Sequence, residues 1–226
     1  MIEDQLLHVR ERIASACQRV GRDPDEVTLI AVSKTKPIEA LLEAYRCGAR
    51  DFGENKVQEI IEKEPQMPKD ARFHMIGHLQ TNKVKQILRQ AVLIHSVDSV
   101  RLAEEIENQA QKADLTVSIL LEVNVAGEES KFGFSPEKVE DAVRIIKNLS
   151  HVKIRGLMTI APFVENSEEN RIIFKKLYQL SVDIKSKNID NVTMDVLSMG
   201  MTGDYETAVE EGATMIRVGT GIFGAR

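Results

Sequence analysis

Short apolar segments typical of buried strands alternate with helical segments along this chain of 226 residues, and this alternation constrains the fold more than any other feature. The strand segments are predicted at residues 29–32, 50–53, 72–76, 92–97, 116–124, 152–160, 194–197 and 215–218. Strands separated by ten or more helical residues require parallel crossovers. Eight such units predict an α/β fold in which one (β/α)8 barrel closes on itself.

An amphipathic helix is predicted over residues 2–20, before the first strand, because apolar residues recur there every three or four positions. The barrel is therefore expected to carry one extra N-terminal helix. No linker, charge block or low-complexity tract interrupts the pattern, so residues 1–226 are expected to form a single domain.

Composition excludes several classes of function. A net charge of −5 with both signs well mixed gives no basic surface for nucleic acid. The chain has no apolar run long enough to cross a membrane and no signal peptide. Cys17 and Cys47 lie far apart and, like the histidines, show no metal-ligand spacing. We expect a cytoplasmic protein without a metal site.

Lys34 is the first candidate for a chemical role. It follows the apolar strand segment 29–32, and chemistry in such barrels takes place at the carboxyl ends of the strands. Burial disfavours a charged amine, and a neutral amine is a nucleophile towards carbonyl groups. Lys34 is therefore a candidate Schiff-base lysine, and the plain alternative is a lysine at the barrel mouth that extends to water.

Two glycine-containing segments follow the last two predicted strands, at residues 198–202 and 219–224. Small residues let backbone amides approach an anion, and the loops after strands seven and eight are the usual phosphate site of these barrels. The alternative is that the glycines only form tight turns. Arg217 alternates with apolar neighbours in the last strand, and the sequence leaves open whether it faces the barrel interior or the helices.

A Schiff-base lysine, a phosphate site and an arginine together suggest pyridoxal 5'-phosphate (PLP). In this hypothesis the aldehyde bonds Lys34, the phosphate lies on the last two loops, and Arg217 meets the pyridine nitrogen. An arginine at that position leaves the nitrogen neutral and makes the ring a weaker electron sink. A Schiff-base aldolase that acts on a phosphosugar without PLP is a further alternative.

Six motifs spread over the chain carry a family resemblance. They are AVSKTK at 31–36, FGEN at 52–55, IGHLQTNK at 76–83, RGLM at 155–158, LSMGM at 197–201 and RVGTGIFG at 217–224. With these motifs the chain resembles the pyridoxal phosphate homeostasis proteins, single-domain relatives of the alanine racemase N-terminal barrel. Thr202 departs from the serine that the family more often has, but it keeps a hydroxyl group.

The resemblance implies the fold and the residues of a PLP site. PLP would be bound covalently to Lys34, with Asn55 and Met158 lining the ring and Arg217 at the pyridine nitrogen. The phosphate would be surrounded by Ser198, Gly200, Gly219 and Thr220. It also implies a role in PLP homeostasis, as buffering or delivery of this vitamin B6 cofactor, without a strong catalytic activity.

A racemase needs a second acid/base on the opposite face of the substrate, which a separate domain supplies in the two-domain relatives. This chain ends a few residues after the phosphate loop, so that domain is expected to be missing. Of the three tyrosines, only Tyr205 is expected near the barrel mouth. No catalytic residue is therefore assigned, and a slow PLP-dependent racemase or decarboxylase is the alternative. The expected partners are PLP and PLP-dependent apo-enzymes, and the expected state is a monomer. Lys36 and Lys131 are weaker candidates for contacts with PLP.

Overall fold

Eight parallel strands close into one barrel in sequence order in the computed structural model, which describes residues 1–128 and 130–224. The strands are β1 (Thr28–Val32), β2 (Asp51–Glu54), β3 (Arg72–Met75), β4 (Ala91–Val97), β5 (Val117–Glu122), β6 (Val152–Met158), β7 (Val192–Met201) and β8 (Met215–Val218). β1 pairs with both β2 and β8, which closes the sheet. The predicted (β/α)8 barrel is confirmed.

Helices follow the strands on the outside of the barrel. They are α1 (Ile2–Arg19), α2 (Ile38–Arg46), α3 (Val57–Lys63), α4 (Val100–Ala113), α5 (Pro136–Ile146), α6 (Arg171–Ser186), α7 (Tyr205–Glu210) and α8 (Thr220–Phe223). The sequence predicts an α-helix from Thr81 to about Arg89, with Thr81 as its cap, but the segment is a 3₁₀ helix, Thr81–Gln86, which Gln80 precedes without a side-chain cap.

The extra N-terminal helix is confirmed as α1. It packs against α2, α7 and α8 and buries one apolar stripe, which includes Leu6, Val9 and Ile13. Arg19 joins it to α7 through ion pairs with Glu206 and Glu210. Within the described ranges, no helix has both the length and the apolar character needed to cross a membrane.

β7 is longer than its apolar pattern predicted. It continues through Ser198 and Gly200 to Met201, so these residues belong to the strand and not to the loop after it. Gly200 has φ +91°, and a Cβ there would lie 2.6 Å from Ala208 Cβ of α7. Glycine therefore allows β7 to end in close contact with the helix that follows it.

The core has two parts. The large part lies between the strands and the helices, and a small second cluster contains Leu93, Leu120 and Met158. Met158 is in register with Ser198, which bonds across the barrel to His95 of β4, so this cluster lies in the barrel interior. Polar side chains occupy much of the remaining interior, and they connect to the candidate site.

Candidate functional site

A cavity of about 600 Å³ opens at the carboxyl ends of the strands, where the barrel fold predicts a site. Five of the eight residues predicted for PLP line it, namely Lys34, Asn55, Arg217, Gly219 and Thr220. Thus the two cationic side chains of the prediction face one cavity, together with backbone of the loop after β8.

The other three predicted residues lie deeper. Met158 is fully buried in the interior apolar cluster. Ser198 is fully buried, with its hydroxyl between Arg217 and His95. Gly200 packs against α7, as described above. Their contacts with a cofactor stay predictions.

Lys34 lies in a tight turn directly after β1. The Lys36 backbone N–H donates to the Ser33 carbonyl at 3.0 Å, and Thr35 has a left-handed φ of +64°. Lys34 is half-buried, and its amine makes no hydrogen bond or ion pair with the residues that the structure describes. The turn therefore presents an unengaged amine to the cavity.

A buried ionic group, here called the Lys63 cluster, holds this turn from behind. It consists of Ser33, Glu54, Glu59 and Lys63. Lys63 Nζ donates to the Ser33 carbonyl at 2.9 Å, to Glu54 Oε1 at 2.8 Å and to Glu59 Oε2 at 2.7 Å. The Thr35 backbone N–H donates to the same Glu59 oxygen at 2.7 Å. Both ends of the turn are thus tied to α3.

The two acids of the Lys63 cluster respond differently to their surroundings. Burial raises the pKa of Glu54 to about 7, although hydrogen bonds from Lys63 and Ser33 act against it. Glu54 Oε2 is buried and has no partner among the described residues. Burial also acts to raise the pKa of Glu59, but bonds from Lys63 and Thr35 outweigh it and lower that pKa. The charge of Lys63 is therefore balanced mainly by Glu59.

Arg217 faces the barrel interior, which settles the question that the sequence left open. Its guanidinium donates to Ser198 Oγ at 2.5 Å and to the Thr159 carbonyl at 2.8 Å. Burial lowers the pKa of Arg217 to about 10, although the carboxylates of Asp204 and Glu122 act to raise it. Arg217 therefore remains a cation at neutral pH, fixed at the floor of the cavity.

A chain of hydrogen bonds runs from Arg217 into the barrel. Ser198 Oγ lies 2.9 Å from His95 Nδ1, and His95 Nε2 lies 2.9 Å from His74 Nδ1. His74 Nε2 in turn lies 2.9 Å from Asp51 Oδ1, at the opposite end of the barrel. We call Asp51, His74, His95 and Ser198 the interior chain.

The loops after β7 and β8 meet at Thr202. Its hydroxyl oxygen accepts long hydrogen bonds from the backbone amides of Gly219 at 3.3 Å and Gly221 at 3.4 Å. The nearby Asp204 carboxylate is already engaged, because it accepts from the Met201 amide at 2.7 Å and from Asn170 Nδ2 at 2.8 Å. Weakly engaged amides at this position are the groups that an anion would recruit.

Sequence reasoning missed the connections among several of these residues. It assigned neither His74 nor His95 to the PLP site, whereas the structure joins both to Arg217 through hydrogen bonds. The available signal was a titratable residue in each of three consecutive strands, Asp51 in β2, His74 in β3 and His95 in β4. Lys36, one of the weaker candidates for a contact with PLP, donates from its amine to the carbonyls of Phe223 and Gly224 at the end of α8. Tyr205 is buried in the core and does not line the cavity.

Comparison with known proteins defines the class of this barrel. The sequence profile described as "Alanine racemase, N-terminal domain" matches residues 5–226. A solved structure of an unknown protein from Bifidobacterium adolescentis is 36% identical, with a TM-score of 0.93 over 98% of this chain and 94% of that chain. The fold is therefore that of the alanine racemase N-terminal barrel class.

Two named relatives define the family within that class. The pyridoxal phosphate homeostasis protein of Aquifex aeolicus is 45% identical over 99% of this chain and 97% of its own length. PipY of Synechococcus elongatus, in its structure with PLP bound, is 35% identical with a TM-score of 0.86, over 99% of this chain and all of that chain (100%). The chain belongs to the pyridoxal phosphate homeostasis protein family.

Proposed function

We propose that this chain binds PLP as a Schiff base on Lys34 and takes part in PLP homeostasis by buffering or delivering the cofactor. It acts in the cytoplasm as a monomer, and PLP-dependent apo-enzymes receive the cofactor. The observation that carries the proposal is the placement of Lys34 and Arg217 in one cavity with the amides of the β8 loop. The relative with PLP bound supports it.

The residues present fit PLP in size and charge. A cavity of about 600 Å³ is within the range of small-molecule sites. The Gly219 and Gly221 amides have only long bonds to give up, so an arriving phosphate loses little by replacing them. The two oxygens of Asp204, which also lines the cavity, already accept hydrogen bonds from the Met201 amide and from Asn170 Nδ2.

Each residue has a distinct role in this proposal. When bound, PLP supplies an aldehyde that reacts reversibly with an amine. The turn at Lys34 presents that amine, and Arg217 holds its charge at the pyridine nitrogen. Asn55 and Met158 lie along the ring, and Ser198, Gly200, Gly219 and Thr220 surround the phosphate. The hydroxyl of Ser198 is already bound by Arg217, so it serves the site through that arginine.

The attachment is tested by trapping. The wild type and Lys34→Ala are incubated with PLP, reduced with borohydride and digested, and the labelled peptide is identified. We expect a label on Lys34 in the wild type and none at that position in the variant, whose fold is unchanged by circular dichroism. Lys36→Ala is the matched control from the same turn, and it keeps the label. A label found on Lys36 or Lys131 would contradict the assignment.

Delivery is tested by transfer. The loaded protein is mixed with a PLP-dependent apo-enzyme, and activation is compared with that by the same amount of free PLP. Faster or more complete activation by the loaded protein supports delivery. In parallel, single L-amino acids are incubated with the wild type and Lys34→Ala, and racemisation above the variant would instead favour a slow enzyme.

A further inference from the structure

The interior chain links Arg217 to the far end of the barrel through four consecutive hydrogen bonds. The hydrogen bond between His95 of β4 and Ser198 of β7 joins strands that are not neighbours, so it crosses the barrel interior. The last member of the interior chain, Asp51, lines a separate cavity of about 340 Å³ that also includes Arg72 and His74. The interior chain of hydrogen bonds therefore runs from one end of the barrel to the other.

One end of the chain has a fixed role. Asp51 accepts two hydrogen bonds from Arg72, at 2.8 and 2.5 Å, besides the contact with His74. Burial by itself would raise the pKa of Asp51, but hydrogen bonds from His74 and Arg72 outweigh burial and lower this pKa to about 2. Asp51 is thus an anion that only accepts, so His74 must donate from Nε2.

That one constraint orients every other group in the chain. A neutral His74 that donates from Nε2 accepts at Nδ1, so His95 donates from Nε2. His95 then accepts at Nδ1 from the Ser198 hydroxyl, whose oxygen is left to accept from Arg217. Each donor in the chain meets one acceptor.

The opposite orientation fails at Ser198. If His95 donated from Nδ1, Ser198 Oγ would accept from both His95 and Arg217, and its own hydroxyl hydrogen would be left without an acceptor among the described residues. Burial in the barrel interior also lowers the pKa of His95 well below its ordinary value, which agrees with a neutral ring.

We infer that Asp51, His74 and His95 are positioning residues for Arg217: through Ser198 they fix the guanidinium that faces the cavity. The inference rests on the proposed function, since it gives Arg217 the pyridine nitrogen of PLP as its partner. It adds that three residues which do not touch PLP themselves determine how Arg217 is oriented towards it.

The direction of the hydrogen bonds in the interior chain is tested without PLP. Nitrogen-15 NMR of the imidazole rings in the full-length protein at neutral pH reports which nitrogen carries hydrogen. We expect His74 and His95 both protonated at Nε2 and bare at Nδ1. A charged ring, or hydrogen on Nδ1 of either residue, would overturn the inference. This result is independent of whether the protein binds PLP.

The positioning role is tested with two variants of one residue. Gln can replace the donor and the acceptor of His95, whereas Leu replaces neither. We expect His95→Leu to weaken PLP retention about tenfold and to shift the absorption band of the bound cofactor, because it leaves Ser198 and His74 unpaired. We expect His95→Gln to restore both properties to within about twofold of the wild type.

Ile106→Ala, in α4 outside the barrel, controls for lost stability. It lowers the melting temperature but leaves the absorption band in place. If His95→Leu keeps the wild-type band and retention, His95 does not position Arg217. If the wild type itself fails to bind PLP, the proposed function fails, and the NMR result still decides the orientation of the chain.

Discussion

Each of the two cations of the candidate site is held by a different kind of buried polar group. The Lys63 cluster behind Lys34 is ionic, with two carboxylates around one amine, and it leaves Glu54 Oε2 without a partner among the described residues. The interior chain below Arg217 runs through a serine hydroxyl and two histidine rings before it reaches Asp51, and it pairs each donor with an acceptor. Lys34 is thus supported by charge and Arg217 by oriented hydrogen bonds.

The difference matters because charge balance depends on pH and on every member being present, whereas oriented neutral bonds depend mainly on geometry. Removing one member of a buried ionic group leaves an uncompensated charge. Removing one member of a neutral chain leaves one or two unpaired groups, which costs less. Four predictions test this contrast.

The largest effect is expected from Lys63→Met. It leaves Glu54 and Glu59 buried without their cation, and we expect a loss of about 3–5 kcal/mol in the free energy of unfolding, measured with urea. Lys69→Met, at an exposed position, is the control and should change stability by less than about 0.5 kcal/mol. A loss below about 1 kcal/mol in Lys63→Met would show that the Lys63 cluster is not an ionic support.

Arg217→Ala is expected to act on the ligand more than on the fold. It removes the cation from the cavity floor, so PLP retention on dialysis should weaken by at least about tenfold and the absorption spectrum should change. Arg155→Ala, on the exposed face of β6, is the control and should keep the wild-type PLP retention and absorption spectrum. An unchanged spectrum in Arg217→Ala would mean that this residue does not meet the ring.

The two groups should respond to pH with opposite signs. Glu54 binds its proton more tightly in the folded state, with a pKa of about 7 against 4.5, so its contribution to stability falls as pH rises through that interval. His95 has a lowered pKa in the folded state, so its contribution falls as pH drops below 6.5.

Urea unfolding from pH 4.5 to pH 8 separates the two effects. Relative to the wild type, Glu54→Gln should gain about 2 kcal/mol on going from acid to neutral pH, and His95→Gln should show a smaller loss in acid. Burial also raises the pKa of Glu122 to about 7. Glu122→Gln is therefore measured beside the other two variants, to separate the contribution of Glu122 to the pH dependence of stability. Identical pH profiles for Glu54→Gln and His95→Gln would remove the contrast.

The smallest effect is expected from Ser198→Ala. It leaves His95 Nδ1 without its donor and Arg217 with one acceptor fewer, at a cost of about 1–2 kcal/mol in unfolding free energy. Ser181→Ala, a buried serine that donates only to the Tyr178 carbonyl, should cost less. A cost in Ser198→Ala as large as that of Lys63→Met would place the interior chain in the ionic class.

The barrel and most of its boundaries could be predicted because they depend on local periodicity. Apolar strands and helix stripes are each readable within a few residues. The end of β7 could not be predicted, since residues 198–201 look like a loop and become strand only where Gly200 lets β7 approach Ala208. The prediction of an α-helix capped by Thr81 was wrong, because that segment is a 3₁₀ helix that begins at Thr81 and has no side-chain cap.

The sequence by itself determined the eightfold alternation, the lysine after β1 and the small residues after the last two strands, because these follow from the order of residue types along the chain. Tertiary structure alone decided that Arg217 faces the interior and that His95 of β4 contacts Ser198 of β7. Strand alternation gives two faces but does not say which is inside, and contacts across the barrel exist only once the sheet has closed.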